Sequence, residues 1–184
     1  LLENDETEFF ELALSQLKNS KNMTDTMAAF SGLVNFACEH RAEAIDWFYH
    51  KWQSEELVLD KWFTAQALSR LPSTLEEIEK LTKHEKFDLK NPNRMRSLIG
   101  AFCHANQNQF NRIDGKGYEL CASYVLKLDA INPQIAARLA RAFDSWCRFG
   151  KERRQHARQS LDLIKKSNCS KDLTEVINKI LALS

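Results

Sequence analysis

The chain has 184 residues, with 26 Lys and Arg against 25 Asp and Glu and a formal net charge of +1. A chain of this length fits one domain spanning residues 1–184, able to bury about 70% of the surface it exposes when unfolded without a metal or disulfide staple. The charge balance argues against a general binder of nucleic acid or of anionic membrane, since both call for a basic excess. No apolar run is long enough to span a bilayer.

Five cysteines (Cys38, Cys103, Cys121, Cys147, Cys169) are odd in number, widely spaced and without a C-x-x-C pair. They read as reduced, mostly buried thiols of a cytoplasmic protein. Gly and Pro are scarce, at 5 and 3 copies, and this composition is all-α. The chain opens Leu1-Leu2-Glu3, with neither an initiator methionine nor a signal-peptide pattern, which points to a segment of a longer polypeptide.

In chain order, Phe9, Leu12, Ala13 and Leu17 recur at helical spacing and predict a helix over 5–18. Asn22 or Thr24 then caps a helix running to about Glu39, with Met27, Phe30, Leu33, Val34 and Ala37 inside. Gly32 in its middle costs helix stability, and a close approach by a neighbouring helix would explain it. A third helix, 41–52, carries Glu39, Glu43, Asp46 and His50 as a stripe, best read as a salt-bridging solvated face because a lone His falls short of a zinc ligand set. The helix over 55–69 has bulk in two directions at Trp62 and Phe63. After Leu71-Pro72, Ser73 to Glu76 has the form of a capping box.

Beyond residue 91 a helix runs to Ala105, and the polar stretch 106–111 reads as a loop. Asp114-Gly115-Lys116-Gly117 is a turn, with none of the spacing of a phosphate loop. Helices are expected over 118–129, 133–149 and 151–166, and a last one is capped by Ser170. The basic cluster Arg148, Lys151, Arg153, Arg154 and Arg158 lacks the aromatic interleaving of a nucleic-acid surface. The expected architecture is an all-α superhelical stack of antiparallel helix pairs, HEAT- or armadillo-like.

The stretch Asn91-Pro92-Asn93-Arg94-Met95-Arg96-Ser97-Leu98-Ile99-Gly100-Ala101-Phe102 carries the most information. Pro92 suits the first helical position and Asn91 the N-cap. Met95, Leu98, Ile99 and Phe102 form a core face. Arg94 and Arg96 sit where the helix dipole disfavours cations. A helix start bearing two guanidinium groups suggests a place that receives an anion such as a carboxylate. Asn132-Pro133-Gln134-Ile135-Ala136-Ala137-Arg138-Leu139 repeats the Asn-Pro start 41 positions later, near the period of two-helix solenoid repeats. Stacked in parallel, the two helix starts would open on one shared edge.

These two blocks, with Leu59-Asp60-Lys61-Trp62-Phe63 upstream, resemble the C-terminal domain of the bacterial-type aminopeptidase N family, the zinc-dependent gluzincin aminopeptidases. The resemblance covers essentially the whole chain and is most specific between about Leu57 and Leu139. It implies a domain that caps an upstream catalytic domain of the same polypeptide, restricts entry to an internal cavity and contributes polar side chains to peptide substrates. The matching positions are Arg96, Gln134 and Arg138, with Arg94 as a further candidate that could face away.

The residues of this chain hold no H-E-x-x-H, and His40, His50, His84, His104 and His156 are scattered. The expectation is that no catalytic or metal-ligating residue lies here, and the resemblance implies that zinc sits in the parent enzyme's catalytic domain. The alternative in another class is a free-standing helical-repeat adaptor that binds a partner protein. A small enzyme on a helical scaffold has no catalytic set to support it.

Overall fold

Apolar residues at helical spacing generate helices throughout residues 6–183, which this computed structural model describes. The first helices, α1 (Glu6–Asn19) and α2 (Met23–Val34), pack as a pair, and α3 (His40–Trp52), α4 (Glu56–Ala67) and α5 (Thr74–Leu81) follow. A continuous helix comes next, built from α6 (Pro92–Met95), a π-helical turn (Arg96–Gly100) and α7 (Ala101–Ala105). The one-turn α8 (Gln107–Phe110) leads to α9 (Lys116–Asp129), α10 (Pro133–Ala140), α11 (Lys151–Lys166) and α12 (Lys171–Leu181). There is no strand among the described residues.

Successive layers are tied by bonds that recur at similar sequence separations, as a solenoid requires. Ser69 Oγ donates to the Val34 carbonyl (3.2 Å), Asn106 Nδ2 to Ala67 (2.9 Å), Arg112 Nη1 to Pro72 (3.1 Å) and Arg153 Nε to Asn111 (2.6 Å), across 35 to 42 residues. At the C-terminal end Asp129 accepts from both the Ser170 amide (2.7 Å) and the Ser170 hydroxyl (2.5 Å). One apolar core runs through all layers, from Leu17 and Phe30 to Ile177 and Ile180.

The expected caps form at Asn22, Asn91, Asn132 and Ser170, each side chain accepting from an amide in the first turn. The Ser73 capping box does not form, because Ser73 Oγ donates to Glu77 Oε1 (2.9 Å), and Glu77 also takes Arg41 Nη2 (2.5 Å). The second helix stops at Val34 rather than near Glu39, since the Val34 carbonyl is claimed by Arg41 Nε (3.0 Å) as well as by Ser69. Phe9 and Leu12, expected inside, are exposed.

The helix expected over 133–149 breaks after Ala140 into two 3₁₀ turns, Arg141–Phe143 and Trp146–Arg148. A straight helix would place Phe143 and Trp146 on one face. The break sends them apart, Phe143 against Phe110 and Tyr118, and Trp146 to donate to the Ile180 carbonyl (3.1 Å).

The run 106–111 is scaffold rather than a surface loop. Asn106 is buried, donating to the Ala67 and Ser69 carbonyls and accepting from the Gln109 amide. Gln109 Nε2 donates to the Arg70 carbonyl (2.9 Å), and Asn111 Oδ1 accepts from the buried Tyr118 hydroxyl (2.9 Å), whose pKa burial pushes up to about 12. Gly115 takes the left-handed conformation (φ 75°), and a side chain at Gly117 would meet the Phe110 carbonyl, so α9 starts hard against α8. In the stripe of α3, Glu43 pairs with Lys18 (2.5 Å), which lowers the Glu43 pKa, while Asp46 makes no ion pair among the described residues. No disulfide links the cysteines. The buried Cys103 thiol is pushed well up by desolvation and by the neighbouring Cys121.

Arg94 lies inside this scaffold, away from the expected anion site. Its guanidinium is almost fully buried, donating to Asp60 Oδ1 (2.7 Å), bonded to Glu56 Oε2 and stacked 5.1 Å from the Phe63 ring centroid. Removing one partner of a buried ion pair typically costs about 3–5 kcal/mol, whereas a solvent-exposed partner adds much less. Asp60 is 20% exposed at its side chain and Glu56 71%. Arg94→Ala and Asp60→Ala are therefore expected to lower thermal stability strongly, and Glu56→Ala only slightly. Equal melting temperatures for the Asp60 and Glu56 variants would contradict this division of the clamp.

Candidate functional site

Arg94 and Arg96 both lie in the helix that starts at Pro92, and they meet different surroundings. Arg94 points at α4 and is neutralised there, while Arg96, two residues on, is exposed and borders a hollow of about 540 Å³. The π turn sets which of its neighbours accompany it. Its register is marked by the Ala101 amide bonding back to the Arg96 carbonyl, five residues away. In an unbroken α-helix, residues eight apart lie about 80° apart around the axis; one extra residue in a π turn reduces this to about 20°. Arg96, Gly100 and His104 thus line the same hollow.

The opposite wall comes from α10, which supplies Asn132, Gln134, Ile135 and Arg138. Here α10 packs on α9 and α12, whereas the π-containing helix packs on α4, so the hollow is the gap between the two layers. Three of the four residues marked out in the sequence, Arg96, Gln134 and Arg138, therefore share one site, and Arg94 does not. The geometry differs from two helix starts opening on one edge. Asn91 occupies the first free amides of α6, those of Asn93 and Arg94, and Asn132 occupies that of Ile135. The pocket's positive character comes from side chains rather than from bare helix ends.

Neither Arg96 nor Arg138 joins an ion pair among the described residues; Arg96 Nη1 makes only a long bond to Asn93 Oδ1 (3.4 Å). Two unneutralised guanidinium groups across one concavity give it the electrostatics of an anion site. His104 is a member that sequence reasoning missed. It lies eight residues beyond Arg96, and the π turn brings the two more nearly into line. Packing against the pocket wall and the nearby Arg138 cation lower its pKa, while Asp144 raises it. Its ordinary value already leaves a histidine mostly neutral at pH 7, so the ring offers one donor and one acceptor there.

The pKa attribution can be checked directly. Arg138→Ala removes a cation that opposes protonation, so the His104 titration followed by NMR is expected to move to higher pH. An unchanged or lower titration midpoint would show that Arg138 does not face the ring.

No group of three His, Cys, Asp or Glu side chains among the described residues could hold a metal. No described helix is long and apolar enough to cross a membrane.

Residues 1–182 match the family described as "Domain of unknown function (DUF3458_C) ARM repeats". The aminopeptidase N of Haemophilus influenzae is 38% identical over 171 residues, covering 92% of this chain and 20% of that protein. The aminopeptidase N of Escherichia coli is 38% identical over 172 residues, covering 93% of this chain and 20% of its own length. Among solved structures, Legionella pneumophila aminopeptidase A in complex with aspartic acid matches with a TM-score of 0.93 at 33% identity, over 98% of this chain and 21% of that one. The chain spans about one fifth of the length of the curated relatives it matches. It belongs to the DUF3458_C ARM-repeat family, and it is the C-terminal helical domain of an aminopeptidase N.

Proposed function

We propose that this domain is the substrate-side wall of a cytoplasmic, zinc-dependent aminopeptidase that removes N-terminal residues from peptides. It caps the catalytic domain of the same polypeptide, gates the internal cavity and holds the far end of short peptides. The observation that supports this reading is the convergence of Arg96, Gln134 and Arg138 on one hollow with no carboxylate to neutralise the two cations.

A peptide's C-terminal carboxylate is the anion that such a site fits. Guanidinium groups donate paired N–H bonds to a carboxylate, and these charge-assisted bonds are stronger than neutral ones. Gln134 carries both a donor and an acceptor, which suits the last peptide unit, and neutral His104 can serve the same unit. The bond-breaking chemistry would be supplied by zinc in the parent enzyme's catalytic domain, as the family resemblance implies. The role of these residues is to bind and align.

Two outcomes test the assignment in the full-length enzyme. Arg138→Ala should raise KM for a short peptide by about tenfold, the value of one partly screened charge-assisted bond, and leave the C-terminal amide of the same peptide within about twofold. Equal losses on both substrates would remove the carboxylate role. The second outcome concerns pH. Below the His104 titration, which lies under the ordinary histidine range, the pocket gains a third cation, so the preference for the free acid over the amide should grow as pH falls through that titration, and His104→Gln should flatten that trend. Since the His104 pKa is lowered in the fold, protonation also favours the unfolded state, and the same pH drop should cost some thermal stability. A preference that stays constant with pH in the parent enzyme would exclude His104 from the carboxylate's surroundings.

A further inference from the structure

A second hollow, of about 850 Å³, adjoins the arginine pocket. The two share Ala105, the last residue of α7. From there the second hollow runs along Gln107 and Asn108 to Arg70 and on to Gly32 and Phe36 at the end of α2. Both hollows therefore meet at the end of α7.

The chemistry of this extension is that of a peptide path. Among the described residues no bond or ion pair engages the Asn108 side chain or the Arg70 guanidinium, although the Arg70 amide is tied to Asn35 Oδ1 (3.3 Å). Amide side chains carry a donor and an acceptor each, matching the alternating groups of an extended backbone. Phe36 is half exposed and is flanked by the Phe10 and Phe9 rings at 5.5 and 6.3 Å, an apolar wall beside the polar floor. Gly32 turns out not to serve close helix packing. Nothing lies within 4 Å of where its Cβ would stand, and the open space there belongs to the groove.

We propose that the groove from Ala105 to Phe36 is a second peptide subsite, continuous with the arginine pocket, that receives the residues of peptides too long to end at Arg96 and Arg138. Arg70 then meets the carboxylate or an acidic side chain of the longer peptide, and Phe36 meets an apolar one. The inference rests on the peptide-binding reading of the arginine pocket and extends it to substrate length.

The test compares a tripeptide with a decapeptide of the same N-terminal sequence, by kcat/KM in the full-length enzyme. Gly32→Phe fills the groove from a position where a side chain meets no neighbour, so it is expected to lower kcat/KM for the decapeptide at least fivefold and leave the tripeptide within twofold. Arg70→Ala keeps the helix sequence of α2 intact and should show the same length selectivity with a smaller loss, about threefold. Gly32→Ala leaves the groove open and should leave both substrates unchanged. Equal loss on both peptides, loss confined to the tripeptide, or no loss from either Gly32→Phe or Arg70→Ala overturns the proposal. The two readings fail separately. If Arg138→Ala treats acid and amide alike while Gly32→Phe still discriminates by length, the carboxylate assignment falls and the groove stands; the reverse pattern removes only the groove.

Discussion

The burial of one guanidinium organises this domain. Taking Arg94 out of water carries a desolvation penalty of several kcal/mol, and the fold offsets it with Asp60, Glu56 and the face of Phe63, all from α4. An arginine in the first turn of a helix is also opposed by the helix dipole, so the two carboxylates answer both problems. The clamp has a rotational consequence. With Arg94 held against α4, the Ser97 carbonyl is met by the Thr64 hydroxyl (3.0 Å), and Leu98, Ile99 and Phe102 fall into the core. Arg96 is left on the opposite side with no carboxylate of its own. The sequence blocks around Asp60 and around Arg94 are two halves of one contact, which explains why they stand out together.

Much of this was legible because it depends on local rules. Asn-Pro starts predict capped helices at Asn91 and Asn132, and both form. The apolar spacing of Met95, Leu98, Ile99 and Phe102 predicts their burial, and all four are buried. The repeat offset of 41 residues anticipates the inter-layer bonds spanning 35 to 42 residues. What stayed hidden depends on partners far away in sequence. Nothing in Arg94 and Arg96 as letters distinguishes the one that meets Asp60 from the one that meets solvent. The polar run 106–111 reads as a loop because amides are usually exposed. Here Asn106 and Gln109 are buried because they satisfy carbonyls at the helix end of the previous layer, and Asn111 because it bonds Gln107 and the Tyr118 hydroxyl. The break after Ala140 is equally non-local, since it is Ile180 that offers Trp146 a carbonyl.

The π turn joins scaffold to site. An α-helix with Arg94 clamped would set His104 about 80° round from Arg96 instead of nearly in line with it. Widening the helix by one residue changes the phase of everything after it without disturbing the clamp before it. Sequence periodicity counts residues at a fixed 3.6 per turn, so a site that depends on a local change of that number escapes it.

A stack of helix pairs also explains why the hollows lie where they do. Within a layer, apolar faces close on one another and leave no room. Between layers the backbone ends of helices must find hydrogen-bond partners, and the chain supplies them with amide and guanidinium side chains whose size holds the helix ends apart. Polar, open seams are therefore built into the architecture, and the seam that passes Ala105 is bordered on one side by Arg96, His104 and Arg138 and on the other by Arg70 and Phe36. A rigid apolar core with polar seams at its layer junctions can present a long, wet and chemically varied path without moving any helix, which is what an elongated ligand of varied side chains requires.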